Sequence, residues 1–200
     1  MQFQKKNLQK LETKRKLFRL ITRLFLYLTL LCCFFLKQPT ALAKEIFSQE
    51  YMIKAAFIYN FAKFIEWPSS TSLSPNFNVC ILGADPFGKE VETIKGKKIG
   101  MSKISVSYIK SIEEFPKIKD CQILFISYSE KHNIAAILNK TDRLPILTIA
   151  DQKNAAQSGV IINFIVEDKK VRFEINNREA LKAGIKIRSD LLNLAMKIVD

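Results

Sequence analysis

The sequence predicts an α/β fold: a three-layer sandwich on a mainly parallel sheet, with a C-terminal antiparallel hairpin and helices on both faces. Three observations point there. Short runs rich in strand formers, FNVCIL (77–82), QILFIS (122–127) and PILTIA (145–150), alternate with short helical stretches. That rhythm belongs to right-handed crossovers between parallel strands. QILFIS and PILTIA are apolar almost throughout, as strands covered on both sides are. Finally, VIINFIVE (160–167) and KVRFEIN (170–176) are separated only by Asp168-Lys169, the spacing of a hairpin.

The chain opens with a basic segment, Met1 to Arg23, then an uncharged apolar run, Leu24 to Leu36, then Thr40-Ala41-Leu42-Ala43 with its small residues. That order is the form of a secretory signal peptide over 1–43, cleaved to leave one exported domain over 44–200. The apolar run is shorter than the ~20 residues of a membrane span. The long basic segment leaves an uncleaved anchor as the alternative. The leader holds nine of the 32 basic and one of the 19 acidic residues, so the rest has 23 basic against 18 acidic, a net +5 rather than +13. A mild positive balance, with no basic patch interleaved with aromatics, argues against a nucleic-acid partner.

EYMIKAAFIYNFAKFIEWP (50–68) predicts the first helix of the domain, since no Gly or Pro interrupts it before Pro68. Ser48 is the expected N-cap, with Glu50 in the positive first turn. Ile53, Phe57, Phe61 and Phe64 fall on one stripe, widened by Tyr51, Ile58 and Ile65. Such an arc is too broad for a surface helix. Lys54 projects into the middle of it. Either its stem packs while its amine reaches water, or it is a buried cation that needs a carboxylate from the protein or from a ligand.

Beyond a polar connector, Ser69 to Asn76, the strand 77–82 runs into GADPFGKE (83–90). This has the G-x-x-x-x-G-K frame of a phosphate loop, but Glu90 stands where Ser or Thr must ligate magnesium. A strand-to-helix turn with Pro86 near the helix start is the better account. Ile104 to Lys110 alternates as a half-buried strand. Ser111-x-x-Glu114 has the form of a capping box for a short helical turn ending near Pro116. Ser129 is the expected cap of a helix carrying Ile134, Ile137 and Leu138. In the hairpin's second strand Val171, Phe173 and Ile175 face one way and Arg172, Glu174 and Asn176 the other. That polar row reads as a solvated face with an ion pair, or as a rim for a ligand or partner. Asn176 or Asn177 caps a short helix ending at Gly184. Ser189 is expected to cap a last helix, DLLNLAMKIV.

Cys32 and Cys33 fall in the leader, so Cys80 and Cys121 remain, one pair in an oxidising compartment. Bridging them would close a loop of about 40 residues, worth about 4 kcal/mol in the chain-entropy model. The alternative is two buried thiols that never meet. His132 and these cysteines do not make a metal set, and no cofactor is expected. There is no Gly-x-Ser-x-Gly elbow, and His132 is the only histidine for a triad, so the sequence argues against an enzyme.

KAAFIYNFAKFIEWP, FNVCILGADPFG, DCQILFIS, LPILTIAD and GVIINFIVEDKKVRFEINNREALKAGIKIRSDLLNLA, in this order and spacing, resemble the YfiR family. The match runs from about Tyr51 to Ala195. The family consists of small exported α/β sandwich proteins whose best-known role is to restrain a membrane-bound diguanylate cyclase from the periplasm. The resemblance implies a disulfide between Cys80 and Cys121. It sets Lys54 on the lysine of the first-helix block, and Arg172, Phe173 and Asn176 on the family's hairpin strand. Small aromatic ligands bind near that strand in the family, which makes Arg172 and Glu174 expected contacts, and a homodimer is a further expectation. This chain has no cysteine after Cys121, so a second, late disulfide found in some members is not expected.

The expected function is therefore a non-enzymatic repressor of an inner-membrane diguanylate cyclase, lowering cyclic di-GMP. The alternatives are a periplasmic small-molecule-binding module and a regulator of another membrane sensor, such as a histidine kinase.

Overall fold

A computed structural model describes residues 15–16, 18–29, 39–68 and 74–199. Residues 1–14 and 30–38 of the expected leader, and 69–73 of the connector, lie outside the described residues; residues 18–29 are helical. The chain divides into two compact units, Met1–Phe47 and Ser48–Asp200. Among the described residues, no helix is long and apolar enough to cross a membrane.

Helix α1 (Pro39–Phe64) is followed by β1 (Ile65–Glu66), β2 (Asn76–Leu82), β3 (Lys98–Ile99) and β4 (Ser102–Ile109). Then come α2 (Phe115–Ile118), β5 (Ile123–Ile126), α3 (Ile134–Thr141) and β6 (Leu147–Ala150). The hairpin β7 (Ile162–Glu167) and β8 (Lys170–Asn176) precedes α4 (Asn177–Lys182), β9 (Lys186–Ile187), α5 (Ser189–Leu192) and β10 (Lys197–Val199). Among the described residues the main sheet has eight strands, in the order β10-β8-β7-β6-β5-β2-β4-β3. All its pairings are parallel except β3 with β4 and β7 with β8. The hairpin turn places Asp168 at φ 50° and Lys169 at φ 61°, the left-handed pair that a two-residue turn needs to match strand twist.

Period two sorts the central strands into two cores, giving the three-layer α/β architecture. Val79, Ile81, Ile123, Phe125, Leu147 and Ile149 pack with Ala55, Ile58 and Phe61 of α1 and with Ala180 and Leu191 of α4 and α5. Cys80, Leu82, Leu124, Ile126 and Ala150 face the opposite side, against Ile118 of α2 and Ile137 of α3. Burial on both faces is why these strands read as continuous apolar runs. On the α1 side Phe57, Phe61, Phe164 and Phe173 form one aromatic cluster, with Phe61 edge-on to Phe173 at 5.0 Å.

Several boundaries differ from the sequence reading. Ser48 lies inside α1, which begins at Pro39, so it is not the cap. Its hydroxyl instead donates to Glu90 Oε1 at 2.7 Å. The helix stops at Phe64 because Ile65 and Glu66 pair with Ile187 and Lys186 of β9 in a separate two-stranded sheet. The buried stripe is Tyr51, Ala55, Ile58, Phe61 and Ala62, while Ile53 is exposed. Pro116 opens α2 rather than ending a turn, since a missing N–H costs nothing in the first turn. Ser129 sits in a 3-10 turn, Tyr128–Glu130, and α3 starts at Ile134. The expected last helix stops at Leu192 because residues 197–199 are recruited as a strand beside Glu174, Ile175 and Asn176 of β8. An unpaired row of backbone donors and acceptors on β8 outbids the local helical pattern.

Cys80 on β2 and Cys121 just before β5 are joined as a disulfide, with Cα atoms 5.9 Å apart and a sequence separation of 41. It ties together two adjacent parallel strands at the centre of the sheet. Replacing Cys80 by Ser is expected to lower the unfolding free energy by about 2–5 kcal/mol under oxidising conditions, read by denaturant titration. Equal midpoints for the oxidised wild type and the variant would contradict this.

Candidate functional site

The first site grows from α1. Lys54 is followed by Ala55, Ile58, Phe61 and Ala62 on the face that meets the sheet, so its stem is carried inward with them. It is 2% exposed, too deep for the amine to reach water. The carboxylates come from the protein. Nζ lies 2.7 Å from Asp151 Oδ2 and 2.5 Å from Glu50 Oε1, one helical turn earlier. Asp151 is the residue directly after β6, and its side chain is 6% exposed against 27% for Glu50. Tyr51 completes the group. Its hydroxyl donates to the same Asp151 oxygen at 2.6 Å, and its ring centroid lies 4.2 Å from Lys54 Nζ.

This arrangement closes its own polar accounts. Asp151 accepts from an ammonium and from a phenol, and Lys54 has two carboxylates. Burial, followed by the hydrogen bond to Asp151 and the charges of Asp151 and Glu50, drives the Tyr51 phenol far above its ordinary pKa of 10.0. Ionising it would place a second anion beside a buried carboxylate. The group therefore acts as a clamp between helix and strand end. The Tyr51 ring also meets Phe87 edge-on at 5.1 Å, and Phe87 meets Phe125 of β5 at 4.8 Å, which extends the clamp into the core.

The hairpin residues lie elsewhere. Phe173 and Ile175 belong to the core on the α1 side, so Arg172, Glu174 and Asn176 alternate to the opposite face from Lys54. Arg172 is exposed and its Nε lies 3.5 Å from Glu167 Oε2 on the neighbouring strand, not at Glu174. Glu174 is 9% exposed, with Gln157 Nε2 at 3.4 Å. Asn176 is fully enclosed and structural in its contacts. It accepts from the Glu179 backbone N–H as the N-cap of α4 and donates to the Ala156 carbonyl at 2.9 Å. Asn163, cross-strand partner of Glu174, was not singled out in the sequence. Its Oδ1 accepts from Gln152 N, and its buried Nδ2 has no hydrogen-bond partner among the described residues.

Asp151 is the other residue that sequence reasoning passed over. Its signal was an acid placed directly after a continuously apolar strand, at the end where α1 passes. Glu50 was visible as the i−4 neighbour of Lys54, yet was assigned to a helix start.

Two outcomes test the clamp. Asp151→Leu alone should cost about 3–5 kcal/mol, because it leaves the buried ammonium with only the partly exposed Glu50 and takes away the acceptor of the Tyr51 hydroxyl, while Lys54→Met with Asp151→Leu should recover part of the loss. A loss in the double variant equal to the sum of the Asp151→Leu and Lys54→Met losses, in denaturant melts, would show that the two residues are not coupled. The folded state holds the Tyr51 proton more tightly than the unfolded chain does. Its contribution is therefore complete below about pH 10 and is lost as pH rises beyond that. Wild-type stability should fall more steeply above pH 10 than that of Tyr51→Phe.

Comparison with known proteins places these features in context. No curated protein matches the sequence. Among solved structures, the crystal structure of an ABC domain in complex with L-Trp from Streptococcus pneumonia aligns at a TM-score of 0.47 and 11% identity. That alignment covers 62% of this chain and 55% of the other, so the chain spans little more than half the length of the structure it matches. A likeness at that level carries no argument. The YfiR/HmsC-like family model matches residues 51–196, from Tyr51 of the clamp to Met196 just before the last strand, and the chain belongs to that family.

Proposed function

We propose that this chain is an exported, non-enzymatic regulator that binds the periplasmic part of an inner-membrane diguanylate cyclase and holds it inactive. Membership of the YfiR/HmsC-like family carries this reading, because the family is one of periplasmic regulators of diguanylate cyclase signalling. The basic, apolar and small-residue order of the first 43 residues supports export. A disulfide between the two cysteines that remain suits an oxidising compartment.

Repression by binding requires differential affinity. The chain must hold the inactive conformation of the cyclase more tightly than the active one. A shift of that equilibrium from 1:99 to 99:1 asks for roughly 10⁴-fold preference, about 5.5 kcal/mol. A rigid surface supplies this most economically, since less ordering is lost on contact. The clamp between Lys54 and Asp151 and the Cys80–Cys121 bridge both favour rigidity.

A second reading, a small-molecule-binding module, takes support from the exposed Arg172, the buried Glu174 and Asn163 Nδ2, which is unpartnered among the described residues. On this reading a ligand at the rim tunes the regulator or is itself the signal.

Deleting the gene should raise cellular cyclic di-GMP, and resupplying the chain should restore the lower level. The tagged chain should also retain the periplasmic domain of the cyclase on a column. No rise in cyclic di-GMP under any growth condition counts against repression of a cyclase. Altered phosphorylation of a sensor histidine kinase in the same strain would transfer the proposal to that class of partner.

A further inference from the structure

In open α/β sheets, ligands bind outside the carboxyl ends of parallel strands, at the place where strand order reverses. In this sheet β2 leads outward to β4 on one side, and β5 returns to its other side, so the reversal lies between β2 and β5. That crevice is filled by the chain itself. Ser127 Oγ donates to the Ala84 carbonyl at 2.5 Å, and the Ala84 N–H donates to Ser129 Oγ at 2.9 Å. Gly83, at φ 91°, has Ser129 Oγ and Glu130 so near that a Cβ would collide with them. The open space lies one strand along, beyond the ends of β5 and β6.

There the segments that follow these two strands border a groove of about 510 Å³. That is within the roughly 300–1,000 Å³ of small-molecule sites. Lys131 and His132 come from the segment after β5, and Lys153 from the turn after β6. Among the described residues the lining contains no carboxylate. Among the described residues neither His132 nor Lys153 has a hydrogen-bond or ion-pair partner, and Lys131 touches only Tyr128, with Nζ 3.2 Å from the hydroxyl. The two acids nearest in sequence are engaged elsewhere. Glu130 is 9% exposed and accepts from Asn133 Nδ2 at 2.8 Å, while Asp151 is held by Lys54 and Tyr51. The apolar part of the lining comes from Ile134, Ala135 and Ala155, beside Tyr128, Gln152 and Ser158.

A neighbouring groove of about 340 Å³ shares Ala135 and Ser158 with this one but differs in charge. Its cations are matched, Lys182 with Glu179 at 2.7 Å and Arg143 beside Asp142. The contrast matters because field lines focus where one sign of charge lines a concave wall.

We propose that the groove beyond β5 and β6 binds a small soluble organic anion, a carboxylate or phosphate on a short apolar body. Lys131 and Lys153 hold the charged end, and Ile134 with Ala155 covers the body. This site is separate from the clamp and from the hairpin rim, and it does not depend on the proposed repressor role.

The test uses the full chain and isothermal titration with butyl phosphate, against inorganic phosphate, butanol and butylamine. Butyl phosphate should bind, several-fold more tightly than inorganic phosphate, while butanol and butylamine should not. Lys131→Ala with Lys153→Ala should weaken it at least tenfold with the melting temperature unchanged. Arg143→Ala with Lys182→Ala, in the neighbouring groove, should leave it unaltered. Binding of butanol as tight as that of butyl phosphate, or full affinity in the Lys131/Lys153 variant, overturns the anion site. An equal loss in the Arg143/Lys182 variant overturns its location. Equal affinity for inorganic and butyl phosphate overturns the apolar contact.

Discussion

The domain is organised by one buried ion pair, between Lys54 on α1 and Asp151 at the end of β6. An apolar helix face is permissive. Phenylalanines and isoleucines tolerate small rotations and slides with modest loss. A cation within that face is not permissive, because any other register takes the buried ammonium away from Asp151 and leaves it only Glu50, which travels on the same helix. The pair need add little net stability to have this effect. Its desolvation offsets much of its attraction, and its consequence is that only one seat for the helix remains acceptable. Tyr51 sharpens the condition, since its hydroxyl requires the same oxygen.

From that seat the rest follows in layers. With α1 fixed, Phe57 and Phe61 meet Phe164 and Phe173 of the hairpin, so the terminal antiparallel strands are gathered onto the same core as the parallel centre. On the other face the Cys80–Cys121 bridge joins neighbouring central strands beneath α2 and α3. Each face of the sheet thus has one feature that specifies arrangement beyond apolar packing: a charge pair on one, a covalent link on the other.

How much of this was legible depended on the range of the interaction. The three central strands and the hairpin were plain, because continuous apolar runs and a two-residue turn are local signals. The clamp was half legible. A lysine in an apolar arc announces a need for an anion, but Asp151 lies 97 residues away, and nothing in spacing alone selects it. Ser48 and Ser189 looked like caps because serine favours helix starts, yet the first is overruled by a helix that extends upstream and the second heads only a single turn. Residues 197–199 carry a helical pattern but serve as a strand, since the exposed edge of β8 is a demand no local window can see. The hairpin rim was placed correctly on one face, while its expected exposure was not: Glu174 and Asn176 are covered by the turn that bears Ala156 and Gln157.

The upstream extension of α1 has an electrostatic corollary. Processing after Ala43 would leave the new amino terminus inside a helix that runs from Pro39. A free ammonium would then sit at the positive end of the peptide dipoles, where like charge is unfavourable. The first turn of the shortened helix, exposed at Glu45, Ile46 and Phe47, should unwind until a residue able to satisfy the freed N–H groups is reached, and Ser48 is the first of that type. Maturation would thereby turn a mid-helix serine into a terminus whose Oγ accepts from the freed N–H groups while its hydroxyl proton still reaches Glu90.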